Sequence, residues 1–87
     1  MAGIIISVVA GSTGCEGPRP IETSRSLGEW NFEYGRYDEA AFYYGEILSR
    51  FPGDADAQYH YGLSQAQLGD LNAARRALEA ASKLRPN

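Results

Sequence analysis

The chain has 87 residues, a length that allows one small domain with a limited hydrophobic core. Its formal net charge of −3 argues against the basic surface with which proteins usually bind nucleic acids. Its single cysteine excludes both an intramolecular disulfide and a zinc site built from thiolates. No segment approaches the roughly 20 consecutive apolar residues that a membrane-spanning helix requires.

The N-terminal segment is uncharged and ends at the only cysteine. A largely apolar run at residues 4–10 is followed by small residues at 11–14 and then by Cys15. An apolar run that leads into small residues is typical of a secretory signal peptide. The sequence Ser12-Thr13-Gly14-Cys15 also resembles the lipobox of bacterial lipoproteins, whose cysteine is lipidated and becomes the first residue after cleavage.

The resemblance to bacterial lipoproteins implies how the first 20 residues are used. Residues 1–14 would be a removable signal segment, Cys15 the lipidation site, and 15–20 a tether that contains proline and glycine. Acyl chains on Cys15 would anchor the protein in a membrane, facing the periplasm or the cell exterior. The alternative is an unprocessed leader or strand with an incidental Cys15, in a cytoplasmic protein.

An internal repeat with a period of 34 residues is the strongest pattern in the chain. The residues that recur are Gly28 and Gly62, Gly35 and Gly69, Ala40 and Ala74, and Pro52 and Pro86. All of them fall on signature positions of the tetratricopeptide repeat, and the chain resembles that family over residues 21–87, with one copy at 21–54 and another at 55–87. The resemblance implies an all-α fold of two stacked antiparallel helix-turn-helix hairpins, a fragment of an α-solenoid.

The repeat also predicts where the helices begin and end. The expected helices span residues 23–34, 37–51, 55–68 and 71–84. Gly35 and Gly69 should each end the first helix of a hairpin in a left-handed conformation. Asp54 and Asp70 should cap the third and fourth helices.

Close contacts between helices are expected where the repeat places small residues. Gly28 and Gly62 have no side chain, so the second helix of each hairpin can approach the first. The aromatic residue that the family places early in each repeat is replaced by Ser24 in the first copy. We expect the Trp30 side chain to supply that missing bulk.

The residue pattern predicts no enzyme, no cofactor and no metal site. The only histidine, His60, has no serine or cysteine at a recognisable catalytic spacing and lies in no metal-binding motif. The sequence Gly11-Ser12-Thr13-Gly14 lacks the lysine that ends a phosphate-binding loop. The aromatic run Phe42-Tyr43-Tyr44 is interpreted as packing within and between the hairpins.

Tetratricopeptide proteins use the first helix of each repeat to line a concave groove that receives a segment of a partner protein. The resemblance assigns this role to Glu22, Arg25, Glu29, Phe32 and Glu33 in the first repeat and to Asp56, Tyr59, Leu63, Ala66 and Gln67 in the second, with His60 at the edge. Of these, the residues we predict to bind the partner are Arg25, Glu29, Phe32, Tyr59, His60 and Leu63. Glu29 replaces an asparagine that chaperone-binding members use to hold a carboxylate, so we expect no carboxylate clamp. An acidic and aromatic groove suits a segment that carries basic and hydrophobic side chains.

Two repeats are fewer than the three that usually form a stable array, so the last helix should keep an apolar flank uncovered. A partner or a second copy could cover that flank through the last helix, unless the chain is a fragment of a larger protein. The sequence favours a non-enzymatic, membrane-anchored scaffold that recruits a protein of the cell envelope. The alternatives are a soluble cytoplasmic adaptor and a repeat fragment of a larger protein.

Overall fold

The structure, a computed structural model, describes residues 19–85. Four helices follow one another in this part of the chain: α1 (Ile21–Glu33), α2 (Tyr37–Arg50), α3 (Ala55–Leu68) and α4 (Leu71–Leu84). The predicted all-α fold of two helical hairpins is confirmed, and the helix bounds agree with the prediction to within two residues. The predictions about the signal segment, Cys15 and Pro86 concern residues outside the described range.

Each hairpin turns at a glycine whose backbone is left-handed. The φ angle is +77° at Gly35 and +92° at Gly69, a region in which a residue with a Cβ atom is strained. The amide after each glycine donates to a carbonyl five positions earlier, at 2.8 Å after α1 and 2.9 Å after α3. These bonds define a Schellman ending, so both helices stop as predicted.

Aspartate side chains cap the first turns of α3 and α4. The amide of Ala57 donates to Asp54 Oδ1 at 3.0 Å, and the amide of Ala73 donates to Asp70 Oδ1 at 3.1 Å. Each bond satisfies an amide that the helix itself leaves without an acceptor. Both predicted caps are confirmed.

The two helices of each hairpin meet at a glycine. A Cβ atom at Gly28 would lie 3.0 Å from the ring of Tyr44 in α2. A Cβ atom at Gly62 would lie 2.8 Å from Leu78 Cγ and 3.2 Å from the Ala74 carbonyl oxygen in α4. The predicted close approach is therefore confirmed in both hairpins.

The core lies between the two hairpins, where Ala40, Tyr44 and Ile47 of α2 pack against Ala57 of α3. Consecutive helices pack against each other, and α1 also contacts α3. Among the described helices, α2 and α4 do not contact each other. The array therefore curves so that α1 and α3 line its inner side, which we call the groove face.

Trp30 does not fill the space that Ser24 leaves. Ser24 is buried and its hydroxyl donates to Glu46 Oε1 at 3.0 Å, whereas the Trp30 side chain is 51% exposed. Trp30 lies about 200° around α1 from Gly28, the residue that touches α2, so it points away from that helix. The expectation is therefore wrong, and Trp30 instead packs on Tyr34 with ring centroids 4.8 Å apart.

Candidate protein-binding groove

A cluster of aromatic rings joins α1, α2 and α3 at the groove face. The His60 ring lies parallel to the Tyr44 ring, with centroids 5.2 Å apart and planes 13° apart. Phe32 and Tyr59 each meet His60 edge-on, at centroid distances of 5.2 and 5.3 Å. Because edge-on and parallel-offset contacts are the favourable arrangements of aromatic pairs, the cluster fixes α1 relative to α3.

A pocket of about 340 Å³ opens on the groove face and is lined by Glu29, Phe32, Glu33, Tyr44 and His60. Three of the six predicted groove residues, Glu29, Phe32 and His60, thus come together. Glu29 and Glu33 are exposed and lie one helical turn apart on α1. Within residues 19–85 neither carboxylate forms an ion pair. The pocket is therefore acidic at its rim and aromatic on its walls.

Tyr44 is the pocket residue that the sequence did not identify. Its side chain is 0% exposed, and its hydroxyl has no hydrogen-bond partner among the described residues. Burial raises the pKa of this hydroxyl above its ordinary value, and Glu29 is the charge that contributes most to the same shift. The group is therefore neutral at neutral pH and free to donate or to accept. The available signal was a tyrosine at a position where the repeat pattern has phenylalanine.

Arg25 is bound to the start of α3. Its guanidinium pairs with Asp54, and Nη1 donates to Asp56 Oδ2 at 3.1 Å. The hydrogen bond from Arg25 lowers the pKa of Asp54, and the same bond raises the pKa of Arg25. Because two carboxylates neutralise this guanidinium, it does not offer a free charge to a ligand. That arrangement supports the expectation of no carboxylate clamp.

The two remaining predicted groove residues lie outside the acidic pocket. Leu63 is half-buried and lines neither that pocket nor the larger one described next. Tyr59 touches His60 but is 49% exposed, and it lines a pocket of about 490 Å³ between α3 and α4. The six predicted residues therefore follow one face of α1 and α3 without forming a single site.

The larger pocket beside Tyr59 lies at α4, the last of the described helices, and we call this side the open end of the array. Its floor includes Leu78 and Ala81 of α4, which correspond after one repeat period to Tyr44 and Ile47 of α2. Tyr44 and Ile47 are covered by α3 and are fully buried. The pocket is thus the surface on which a further helix would pack if the pattern of the first hairpin continued.

In the part of the chain that the structure describes, no helix combines the length and the apolar character needed to cross a membrane. No three histidine, cysteine, aspartate or glutamate side chains in residues 19–85 are grouped so that they could hold a metal ion.

Comparison with known proteins gives one family. A family model described as Tetratricopeptide repeat matches residues 31–87, which is more than half of the chain. The match starts near the end of α1 and includes all of α2, α3 and α4. No curated protein matches the chain.

Proposed function

Because this chain belongs to the tetratricopeptide repeat family, we propose that it is a non-enzymatic scaffold whose groove face binds a segment of a partner protein. Repeats of this family generally serve protein–protein interaction. The segment we expect carries basic and hydrophobic side chains.

The observation that carries this proposal is the acidic and aromatic surface between α1 and α3. Glu29 and Glu33 offer two carboxylates without ion-pair partners in residues 19–85, whereas Arg25 is neutralised by its own aspartates. The ring of Tyr59 continues this surface and is 49% exposed. Complementary charge favours a basic partner, and the exposed ring offers apolar area that binding can bury.

Paired alanine substitutions test the groove. The full chain should capture a partner from solubilised membranes, and Phe32→Ala combined with Tyr59→Ala should weaken that capture without changing helicity. Tyr34→Ala with Phe42→Ala is the matched control, because both aromatic side chains are exposed and neither lines the acidic pocket. If the two double variants capture the same proteins equally well, the groove assignment is wrong.

We also propose that Cys15 carries a lipid anchor that holds the scaffold at a membrane, facing the periplasm or the cell exterior, where it recruits an envelope protein. The proposal is supported by the lipobox-like sequence Ser12-Thr13-Gly14-Cys15. Intact mass in membrane and soluble fractions, beside a Cys15→Ser variant, tests it. An acylated chain that starts at Cys15 and is lost in the variant is expected. An unmodified chain in the soluble fraction would contradict the anchor and leave a cytoplasmic adaptor or a fragment of a larger protein.

A second copy is the partner we propose for the open end of the array, through α4. The exposed side chains of Leu71 and Leu84 lie on α4, so the contact we propose joins α4 of one copy to α4 of the other. Replacing the exposed Leu71 and Leu84 with serine should therefore abolish a dimer in sedimentation experiments. A chain that sediments as a monomer at every concentration would exclude self-association.

A further inference from the structure

Two carboxylates stand at the rim of the acidic pocket, and no cation of the described residues lies between them. Glu29 and Glu33 are four residues apart on α1, and like charges at this spacing destabilise a helix. A second pair of carboxylates on the groove face does share a cation. Asp54 and Asp56, at the start of α3, share the guanidinium of Arg25, whose Nη1 lies 3.1 Å from Asp56 Oδ2. The pair on α1 has no such cation within residues 19–85.

The walls of the pocket are suited to a cation as well. Phe32 and His60 line it and meet edge-on, with centroids 5.2 Å apart. A phenylalanine ring such as that of Phe32 attracts ammonium and guanidinium groups through its negative face, most strongly where water is excluded. A long basic side chain can also pack its methylene stem on such rings while its charge reaches the carboxylates.

The floor of the pocket provides an independent sign of a ligand. The Tyr44 side chain is completely buried, lines the pocket and has no hydrogen-bond partner for its hydroxyl among residues 19–85. A buried polar group without a partner is unfavourable, so such a group calls for an explanation. An N–H donor of a bound ligand would satisfy the hydroxyl oxygen. The side chains of arginine and lysine each carry several such donors.

We propose that this pocket binds the cationic end of an arginine or lysine side chain of the partner segment, which rests on the proposed binding of that segment to the groove face. The cation lies between the carboxylates of Glu29 and Glu33 and donates to the Tyr44 hydroxyl oxygen. Phe32 and His60 contact the stem of the side chain. A guanidinium has five N–H donors in one plane and an ammonium has three, so arginine can serve all three acceptors with donors to spare.

The pocket can be tested with small probes, without knowing the partner. The full chain is titrated with Nα-acetyl-arginine methylamide, with the corresponding lysine compound, and with the citrulline compound, which has nearly the shape of arginine but no charge. Changes in NMR signals should centre on Glu29, Phe32, Glu33 and His60. We expect the arginine probe to bind at least about tenfold more tightly than the citrulline probe.

Charge-neutralising variants distinguish binding in the pocket from a general effect of the protein's net charge. Glu29→Gln with Glu33→Gln should weaken binding of the arginine probe by about tenfold or more. Glu39→Gln with Glu79→Gln removes the same charge from exposed positions outside the pocket and should leave binding unchanged. Equal effects of the two double variants, or equal binding of arginine and citrulline, would overturn the proposal. The lysine probe then shows whether the pocket discriminates between the two cations.

Failure of this inference can be told apart from failure of the proposed function. If the basic probes do not bind but partner capture still depends on Phe32 and Tyr59, the groove binds a segment by apolar contacts and the cation site is wrong. If capture is also independent of Phe32 and Tyr59, the proposed function itself fails.

Discussion

Gly62 in α3 and Leu78 in α4 lie so close together that a methyl group on Gly62 would come within 2.8 Å of Leu78 Cγ. The same methyl would lie 3.2 Å from the carbonyl oxygen of Ala74, which is part of the helix backbone. Gly45 also lies inside a helix, but a Cβ atom there would be 3.7 Å from the Tyr61 ring, an ordinary contact distance. The chain therefore contains two helical glycines that should respond to alanine in opposite directions.

Gly62→Ala should lower the free energy of unfolding by about 1–3 kcal/mol, because the helices of the second hairpin must move apart. Gly45→Ala should raise it by about 0.5–1 kcal/mol, because alanine is the better helix former and the space is open. Urea unfolding followed by circular dichroism measures both changes. If Gly62→Ala is as stable as the unaltered chain, the close approach of α3 and α4 is not a constraint on this fold.

Removing the Tyr44 hydroxyl should stabilise the protein while weakening its binding of a basic probe. Tyr44→Phe keeps the ring in place and removes a buried hydroxyl that has no partner within residues 19–85, which should raise the free energy of unfolding by about 1 kcal/mol. Ser64→Ala is the control, since its hydroxyl is also buried and has no partner among the described residues. Ser64→Ala should raise the free energy of unfolding without changing the binding of the arginine probe. If Tyr44→Phe binds the arginine probe as tightly as the unaltered chain, the hydroxyl does not contact the bound cation.

Acid should destabilise the protein in part through Asp54. Its pKa is lowered in the folded state by the hydrogen bond from Arg25, so its contribution is present above the ordinary value of 3.8 and is lost as the pH falls through the folded-state pKa. Asp54→Asn keeps an oxygen for capping α3 but removes the titrating group. Thermal unfolding at a series of pH values should show that Asp54→Asn loses less stability than the unaltered chain as the pH falls below 3.8. Identical pH profiles would mean that this ion pair contributes nothing to folding.

The exposure of Trp30 can be measured directly, because it is the only tryptophan in the chain. Its side chain is 51% exposed, so iodide should quench its fluorescence in the folded protein. Trp30→Ala should lower the free energy of unfolding by less than about 1 kcal/mol, well below the loss expected for a core aromatic residue. Fluorescence that iodide does not reach would place this ring in the core after all.

The sequence predicted those features of the fold that depend on local backbone chemistry. A left-handed glycine and an aspartate cap act within one helical turn, so Gly69 and Asp70 could be assigned their roles from the repeat alone. The helix bounds followed from these signals to within two residues. The close approach at Gly62 was also predicted, because the repeat pattern itself encodes which positions must be small.

The features that the sequence did not predict depend on contacts between distant residues. Trp30 was expected to replace the bulk missing at Ser24, but a rotation of about 200° around α1 separates it from the α2 interface. Arg25 finds its carboxylates 29 and 31 positions away, at Asp54 and Asp56. The unpartnered hydroxyl of Tyr44 is visible only when all of its neighbours are in place. No local pattern carries that information.

The central position of α3 has a consequence for how the molecule opens. This helix packs on α2 and on α4 and also contacts α1, whereas α4 packs only on α3 among the described helices. In a linear array, opening starts at the ends because terminal elements have fewer neighbours. Amide hydrogens of α3 should therefore exchange most slowly, while those of α1 exchange earlier as its end of the array frays. A ligand that joins α1 to α3 would slow amide exchange mainly in α1. The α3 side of the groove would then be ordered before binding, whereas the α1 side would be stabilised by the bound ligand.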